Sequence, residues 1–417
     1  MKRLIDKFTG GGYSKRALSG FSWVGLLRIA TRAVSFFRIA VIARILLPAQ
    51  FGVFAIAALI LTFLETITET GVNVFLVQEK DKIGKYLNTV WVVSIIRGLF
   101  VSLLIIIFAP FISSFFRSPE SLSVLYLSAL VPFCRGFINP SVVRFQKEIR
   151  FDNEFLFRFP IYLFDAGVSI ILVLITKNPS ALIWGLVAGA ALELFLSFKY
   201  VFPRPKFVFD AVKTKRVVSR GKWVTASGIF DYLFQNIDDF SVGRILGQYS
   251  LGIYQVAYKI SSLPLTEISQ VFMRVAFPVY RKIARDKKRL WKAFVKSTLA
   301  VCMLILPLGL VIFLFPKQII LIILGDKWIE AAAVLRILAI YGTLRGIFYP
   351  MMVVFLAVEK QEYVTVVTLA GILGLGATVI PLVVKYGVLG AGYSAVIGTV
   401  LTLPVISWYL YQVFKSK

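Results

Sequence analysis

Twelve long apolar stretches dominate the chain, over residues 18–43, 49–77, 88–111, 122–143, 155–176, 181–202, 223–246, 250–278, 297–316, 329–357, 363–384 and 388–413. Each is long enough to cross about 30 Å of hydrocarbon as a helix, which takes roughly 20 residues. Backbone in lipid must satisfy its own hydrogen bonds, so stretches of this kind fold as helices. Only 16% of residues are charged, where soluble chains carry about 25%. The pattern predicts an all-α polytopic membrane protein of twelve transmembrane helices. Pro132, Pro160, Pro264, Pro307, Pro350 and Pro404 fall inside the stretches and predict kinks.

The net charge of +26 sits mainly on one set of loops. The connections that alternate to one side hold 31 of the 47 basic residues, and the opposite set holds seven. The positive-inside rule then places both termini in the cytoplasm and the protein in the cell (inner) membrane as a multi-pass chain. The N-terminus is read as the first membrane helix rather than a cleaved signal, because Arg28, Arg32 and Arg38 interrupt its apolar run. Basic loops of this kind meet anionic lipid headgroups. No soluble domain presents a basic face, so nucleic acid is not an expected partner.

Several chemistries are excluded by composition. The chain has no histidine and two cysteines, Cys134 and Cys302, both in apolar stretches. That removes histidine-based metal, haem and triad chemistry and a disulfide framework. Gly221-Lys222 lacks the upstream glycine of a phosphate-binding loop. The reading is therefore a non-enzyme without catalytic residues, metal or cofactor, driven by an H⁺ or Na⁺ gradient or by metabolic pull.

A shift of 200 residues aligns Trp23 with Trp223, Arg44-Ile45-Leu46 with Arg244-Ile245-Leu246, and Gly52-Val53-Phe54 with Gly252-Ile253-Tyr254. Six spans per half give two parallel repeats related by an axis along the membrane normal. The expected domains are a six-helix lobe at 1–202, a basic cytoplasmic linker at 203–222 and a second six-helix lobe at 223–417, arranged around a central cavity. Gly185 and Gly189, and the trio Gly371, Gly374 and Gly376, predict close helix packing.

The run Ala43-Arg44-Ile45-Leu46-Leu47-Pro48-Ala49-Gln50-Phe51-Gly52-Val53-Phe54 resembles the first hairpin of polysaccharide transporters. Tyr386-Gly387-Val388-Leu389-Gly390-Ala391-Gly392-Tyr393-Ser394-Ala395 resembles their last helix. The chain is thus similar, over essentially its whole length, to the multidrug/oligosaccharidyl-lipid/polysaccharide exporter superfamily, and within it to Wzx-type flippases. The resemblance implies alternating access between two lobes. It also implies a cavity that takes a sugar head group while the polyprenyl tail stays in lipid.

With Arg158, Lys199, Arg244 and Glu330 at the span ends counted with the loops, seventeen charged residues lie inside the spans, nine basic and eight acidic. Each costs about 2.5–3.5 kcal/mol at mid-membrane on insertion scales, so they must pair, snorkel or line water. At about 100° per residue, Arg28, Thr31, Arg32, Ser35 and Arg38 share one face of the first helix. The same face of the seventh span carries Ser227, Asp231, Gln235, Asp238 and Asp239. One expectation is an ion pair between the two faces, Arg38 with Asp238, that breaks as the lobes move; a static ion network is the alternative. Guanidinium stays charged and binds phosphate through two parallel bonds. Arg28, Arg32, Arg38, Arg97, Arg135, Lys259, Arg274 and Arg345 are therefore the expected pool for an anionic head group. Glu65, Glu69, Asp231, Asp238, Asp239 and Glu267 are the expected coupling or gating acids, since neighbouring carboxylates raise one another's pKa.

The expected function is an alternating-access flippase for a polyprenyl-pyrophosphate-linked oligosaccharide repeat unit, moved from the cytoplasmic to the outer leaflet for surface polysaccharide biosynthesis. Its expected partners are that substrate, membrane lipids and polysaccharide-assembly proteins, with the protein acting as a monomer. A cation-coupled drug or metabolite exporter of the same superfamily stands as the alternative, favoured by an excess of cavity acids. A membrane glycosyltransferase or polysaccharide polymerase stands as a second, disfavoured by the short external segments.

Overall fold

A computed structural model describes residues 12–68, 76, 84–208 and 210–415. Every regular element among the described residues is helical. In chain order they are α1 (Gly12–Ile45), α2 (Pro48–Ile67), α3 (Gly84–Phe115), α4 (Ser121–Ser128), α5 (Leu130–Gly136), α6 (Arg144–Lys147), α7 (Phe151–Thr176) and α8 (Ser180–Tyr200). There follow α9 (Ala211–Ile283), α10 (Lys287–Leu314), α11 (Pro316–Ile323), α12 (Ala331–Ala357), α13 (Gln361–Tyr386) and α14 (Val388–Lys415).

Among the described residues, eight helices are long and apolar enough to cross a bilayer: α2, α3, α7, α8, α10, α12, α13 and α14. Ser121–Gly136 and Pro140–Lys147, bent by 71°, make a ninth if taken as one span. The arginines of α1 and the acids and lysines of α9 lower their apolarity, and neither is among the eight.

Outward faces identify the solvent. Ile96, Leu99, Phe100, Leu103, Ile107 and Phe111 of α3 are all more than 40% exposed, at helical spacing. Leu299, Met303, Leu306 and Leu310 form a like stripe on α10. A water-soluble chain does not leave continuous apolar stripes uncovered, and lipid is the medium that fits them.

The expected kink prolines sit inside unbroken helices at Pro160, Pro307, Pro350 and Pro404. The long helix α9 instead breaks at Gly247, where φ is 82° and ψ is −178°. That backbone region is almost exclusive to glycine. The break falls between the seventh and eighth apolar stretches.

The chain gathers into two compact units. The first comprises residues up to Leu46 together with Ile56–Leu233; the second comprises Leu47–Ala55 and Phe234–Lys417. In the first, α7 packs along both α1 and α8, and α5 packs on α3 and α8. In the second, α13 lies along α14, and α12 packs on α10 and α14. The opening turns of α2 are buried in the second unit, where Phe51 meets the fully buried Trp328 edge-on at 5.0 Å.

The 200-residue register reappears there as a crossing. A Cβ on Gly52 would collide with the carbonyl of Gln248, and a Cβ on Gly252 with the carbonyl of Pro48. Both the glycines and the carbonyls they meet are related by the same shift. The two backbones touch because neither residue has a side chain.

Candidate functional site

The charged residues of the first unit converge because small residues let their helices close up. On α3 and α5, Arg97-Gly98 and Arg135-Gly136 face one another. A Cβ on Gly98 would lie 2.5 Å from the Pro132 carbonyl oxygen and 2.9 Å from the Gly136 Cα. This contact brings both arginines to the end of α2. The Arg135 Nη1 donates to both carboxylate oxygens of Glu65 at 2.9 Å. The Arg97 Nη2 donates to the Glu65 carbonyl oxygen at 2.6 Å, and its Nε to Thr68 Oγ1 at 3.3 Å. Arg97 thus closes the C-terminal end of α2, where carbonyls lack helical partners.

Gly185 and Gly189 do the same for α7 and α8. A Cβ on Gly185 would lie 2.7 Å from the Asp165 carbonyl oxygen and 2.8 Å from Asp165 Oδ1. The close-packing expectation for this pair therefore holds, and the room it makes is filled by a carboxylate. Asp165 accepts from Arg38 Nη1 at 2.9 Å and from Ser169 at 3.4 Å. Two turns away on α7, Arg158 donates to Glu154 at 2.9 Å and stands 3.8 Å from Glu193.

These residues line three neighbouring cavities in the first unit. One of about 480 Å³ is bordered by Glu65, Arg97, Arg135, Arg158 and Glu193. A small one of about 70 Å³ shares Arg135, Arg158 and Glu193 with it and adds Tyr162, Asp165 and Leu186. A third, of about 360 Å³, shares Tyr162, Asp165 and Leu186 and is faced by Arg28, Thr31, Arg32, Ser35 and Arg38. The polar face of α1 is thus turned to this run of cavities. Among the described residues, six arginines and three carboxylates line the three together.

The second unit has its own polar cluster. Tyr254 donates to Asp238 Oδ2 at 2.6 Å. Arg345 donates to the hydroxyls of Tyr341 at 2.7 Å and Tyr258 at 3.3 Å. One oxygen of Asp239 is buried with no hydrogen-bond partner among the described residues. Lys259 and Glu267 are half-buried on the same helix, and Arg274 is exposed. Glu69 and the side chain of Asp231 lie outside the described residues. Arg38 and Asp238 each take a partner within their own unit, Asp165 and Tyr254.

Asp165, Arg158 and Glu193 were not among the expected site residues. A signal for part of this arrangement was present, however. Arg135-Gly136, Pro140, Val143 and Phe145 recur 210 residues later as Arg345-Gly346, Pro350, Val353 and Phe355. The repeated Arg-Gly step marks a cation beside a close helix contact in both units: Gly346 packs on the Leu265 carbonyl, and its own carbonyl accepts from Ser269 at 2.8 Å.

The first unit thus sets arginine-lined cavities among helices with lipid-facing stripes, and solved structures share the fold. The lipid II flippase MurJ, in its inward closed conformation, superposes with a TM-score of 0.76 over 94% of this chain and 89% of its own, at 15% identity. An inward-facing multidrug resistance MATE family transporter of the MOP superfamily gives a TM-score of 0.65 over 93% of this chain and 98% of its own, at 16% identity. The family model for polysaccharide biosynthesis proteins matches residues 41–333, and the chain belongs to that family. Among its relatives, the lipopolysaccharide biosynthesis protein WzxC of Escherichia coli (strain K12) is 24% identical over 81% of this chain and 69% of its own length. The teichuronic acid biosynthesis protein TuaB of Bacillus subtilis (strain 168) is 23% identical over 84% of this chain and 73% of its own.

Proposed function

We propose that this protein is an alternating-access flippase that carries a lipid-linked oligosaccharide from the cytoplasmic to the outer leaflet. The observation that carries the reading is the arginine excess in the cavities of the first unit, six against three carboxylates. A lipid pyrophosphate or an acidic sugar is the kind of anion an arginine-rich lining suits, and guanidinium binds it at every relevant pH. An exporter of organic cations needs the opposite balance. Membership of the polysaccharide biosynthesis family and the relatives' roles support the substrate class.

In this reading the twelve spans form lobes at 1–202 and 223–417 joined by the basic linker 203–222, with both termini cytoplasmic in the inner membrane. Arg28, Arg32 and Arg38 hold the head group. Transport needs no enzyme chemistry and no cofactor, and H⁺ or Na⁺ supplies the drive, with Asp238 and Asp239 as the carriers to test. The experiment is reconstitution into liposomes with a fluorescent lipid-linked oligosaccharide. Leaflet exchange should require the protein and fall sharply in the Arg28→Ala/Arg32→Ala/Arg38→Ala variant. Undiminished exchange in that variant overturns the assignment.

A further inference from the structure

The second unit holds a pocket of about 660 Å³ where α10 and α13 begin and α14 ends, which shares no lining residue with the arginine cavities. Its lining contains three lysines, Lys287, Lys360 and Lys415, and, among the described residues, no acid. The acids nearest in sequence are engaged elsewhere or shared: Asp286 pairs with Arg289, Glu359 with Arg281, and Glu362 lies 3.3 Å from Lys360. The N-termini of α10 and α13 bring partial positive charge and the C-terminus of α14 partial negative charge, so the three lysines set the sign of the pocket. The Tyr363 hydroxyl donates to Gln412 Oε1 at 3.1 Å, so the amide nitrogen of Gln412 remains a donor. Tyr363 is held by stacking on Tyr409 at 4.0 Å, and Lys415 lies over the Tyr411 ring at 4.7 Å.

The remaining wall is apolar, with Leu290 and Val413 among its members. Beside it Trp291 packs edge-on to Phe414 at 4.8 Å and is 47% exposed. Tryptophan and tyrosine gather at headgroup depth. A cationic floor, an amide donor, an apolar wall and an aromatic rim, set at the ends of three membrane helices, suit a phosphate attached to a hydrophobic tail.

We propose that this pocket seats the phosphate of an anionic glycerophospholipid, clasping the ends of α10, α13 and α14. The site is separate from the transport cavities and independent of the transport reading. Attraction of about 1 kcal/mol per lysine near a membrane surface makes loss of all three worth at least about tenfold in affinity.

The test uses the full chain in uncharged detergent, titrated with short-chain phosphatidylglycerol, phosphatidylcholine and free glycerol phosphate, with binding read by thermal shift. Phosphatidylglycerol alone should stabilise the wild type. Lys287→Gln/Lys360→Gln/Lys415→Gln should weaken that binding about tenfold or more. Lys282→Gln/Lys288→Gln/Lys292→Gln, which removes the same charge from exposed neighbours outside the pocket, should leave it unchanged. Equal losses in the two variants would mean diffuse attraction and overturn the proposal. Equal stabilisation by glycerol phosphate or by phosphatidylcholine would overturn the lipid or the charge requirement. Size-exclusion profiles and circular dichroism matching the wild type show that each variant is folded.

Discussion

The Arg38–Asp165 pair joins α1 to α7 and can be measured by itself. The two groups are 2.9 Å apart, with side chains 17% and 13% exposed. Neutral hydrogen bonds between membrane helices average about 0.6 kcal/mol and reach about 1.7; charge-assisted bonds are about twice as strong as neutral ones. Removing one member of a fully buried pair costs about 3–5 kcal/mol. Arg38, however, faces a cavity of about 360 Å³, wide enough to admit water to a stranded guanidinium. The expected coupling is therefore about 1.5 kcal/mol. The assay is a double-mutant cycle of Arg38→Met and Asp165→Ala, neither of which introduces a new polar contact. Stability is read by circular dichroism during unfolding in mixed micelles of mild detergent and dodecyl sulfate. Each single variant should lose more than the pair term, and the double variant should lose less than their sum. A coupling below about 0.5 kcal/mol, within the scatter of independent sites, would refute the claim that this pair ties the two helices.

The reciprocal crossing predicts that Gly52→Ala and Gly252→Ala destabilise by similar amounts, since each Cβ strikes backbone; Gly228→Ala, which meets only a Thr66 methyl at 3.3 Å, should shift the melting temperature far less. Gly247→Ala should cost about 1–3 kcal/mol of strain, read as a lower unfolding midpoint with unchanged helix content. Arg135→Gln should strand Glu65 and be rescued in stability by adding Glu65→Gln, because the two share a bidentate contact. Arg345→Gln leaves two phenols rather than a carboxylate, so it should cost under about 1 kcal/mol while still lowering leaflet exchange per folded molecule.

What could be read from the chain follows from the range of the forces involved. A helix in lipid is dictated by its own twenty residues, so the stretches at 329–357, 363–384 and 388–413 match α12, α13 and α14 to within two positions, whereas α10 begins ten residues ahead of its stretch and the one at 122–143 is broken into short helices. The polar side of α1 was readable for the same reason: Arg28, Thr31, Arg32, Ser35 and Arg38 recur with the period of one helix, and they border one cavity. The 200-residue register was visible as Gly52 and Gly252, and its physical content, two backbones in contact, needed coordinates. The break at Gly247 falls in the gap between the seventh and eighth stretches, whereas the prolines read as kinks lie within continuous helices. Membrane helices absorb proline when neighbours re-satisfy the freed carbonyl, whereas a positive φ leaves almost no residue but glycine.

Partner choice was the least legible. Arg38 and Asp165 are 127 residues apart, and no periodicity links them. Matching the faces of pseudo-equivalent helices points to Asp238 in the other unit and carries no information on the partner within the same unit. The structure shows a shorter-range logic. A buried cation is neutralised by whichever carboxylate a glycine contact has brought into reach, as Gly185 does for Asp165 and as Gly98 with Gly136 does for Glu65. Where the Arg-Gly step recurs at Arg345-Gly346, its hydrogen bonds go to tyrosines. The repeat therefore preserves the position of the guanidinium while its neutralisation is decided locally, and local neutralisation is what separates an arginine that holds helices together from one able to hold an anion.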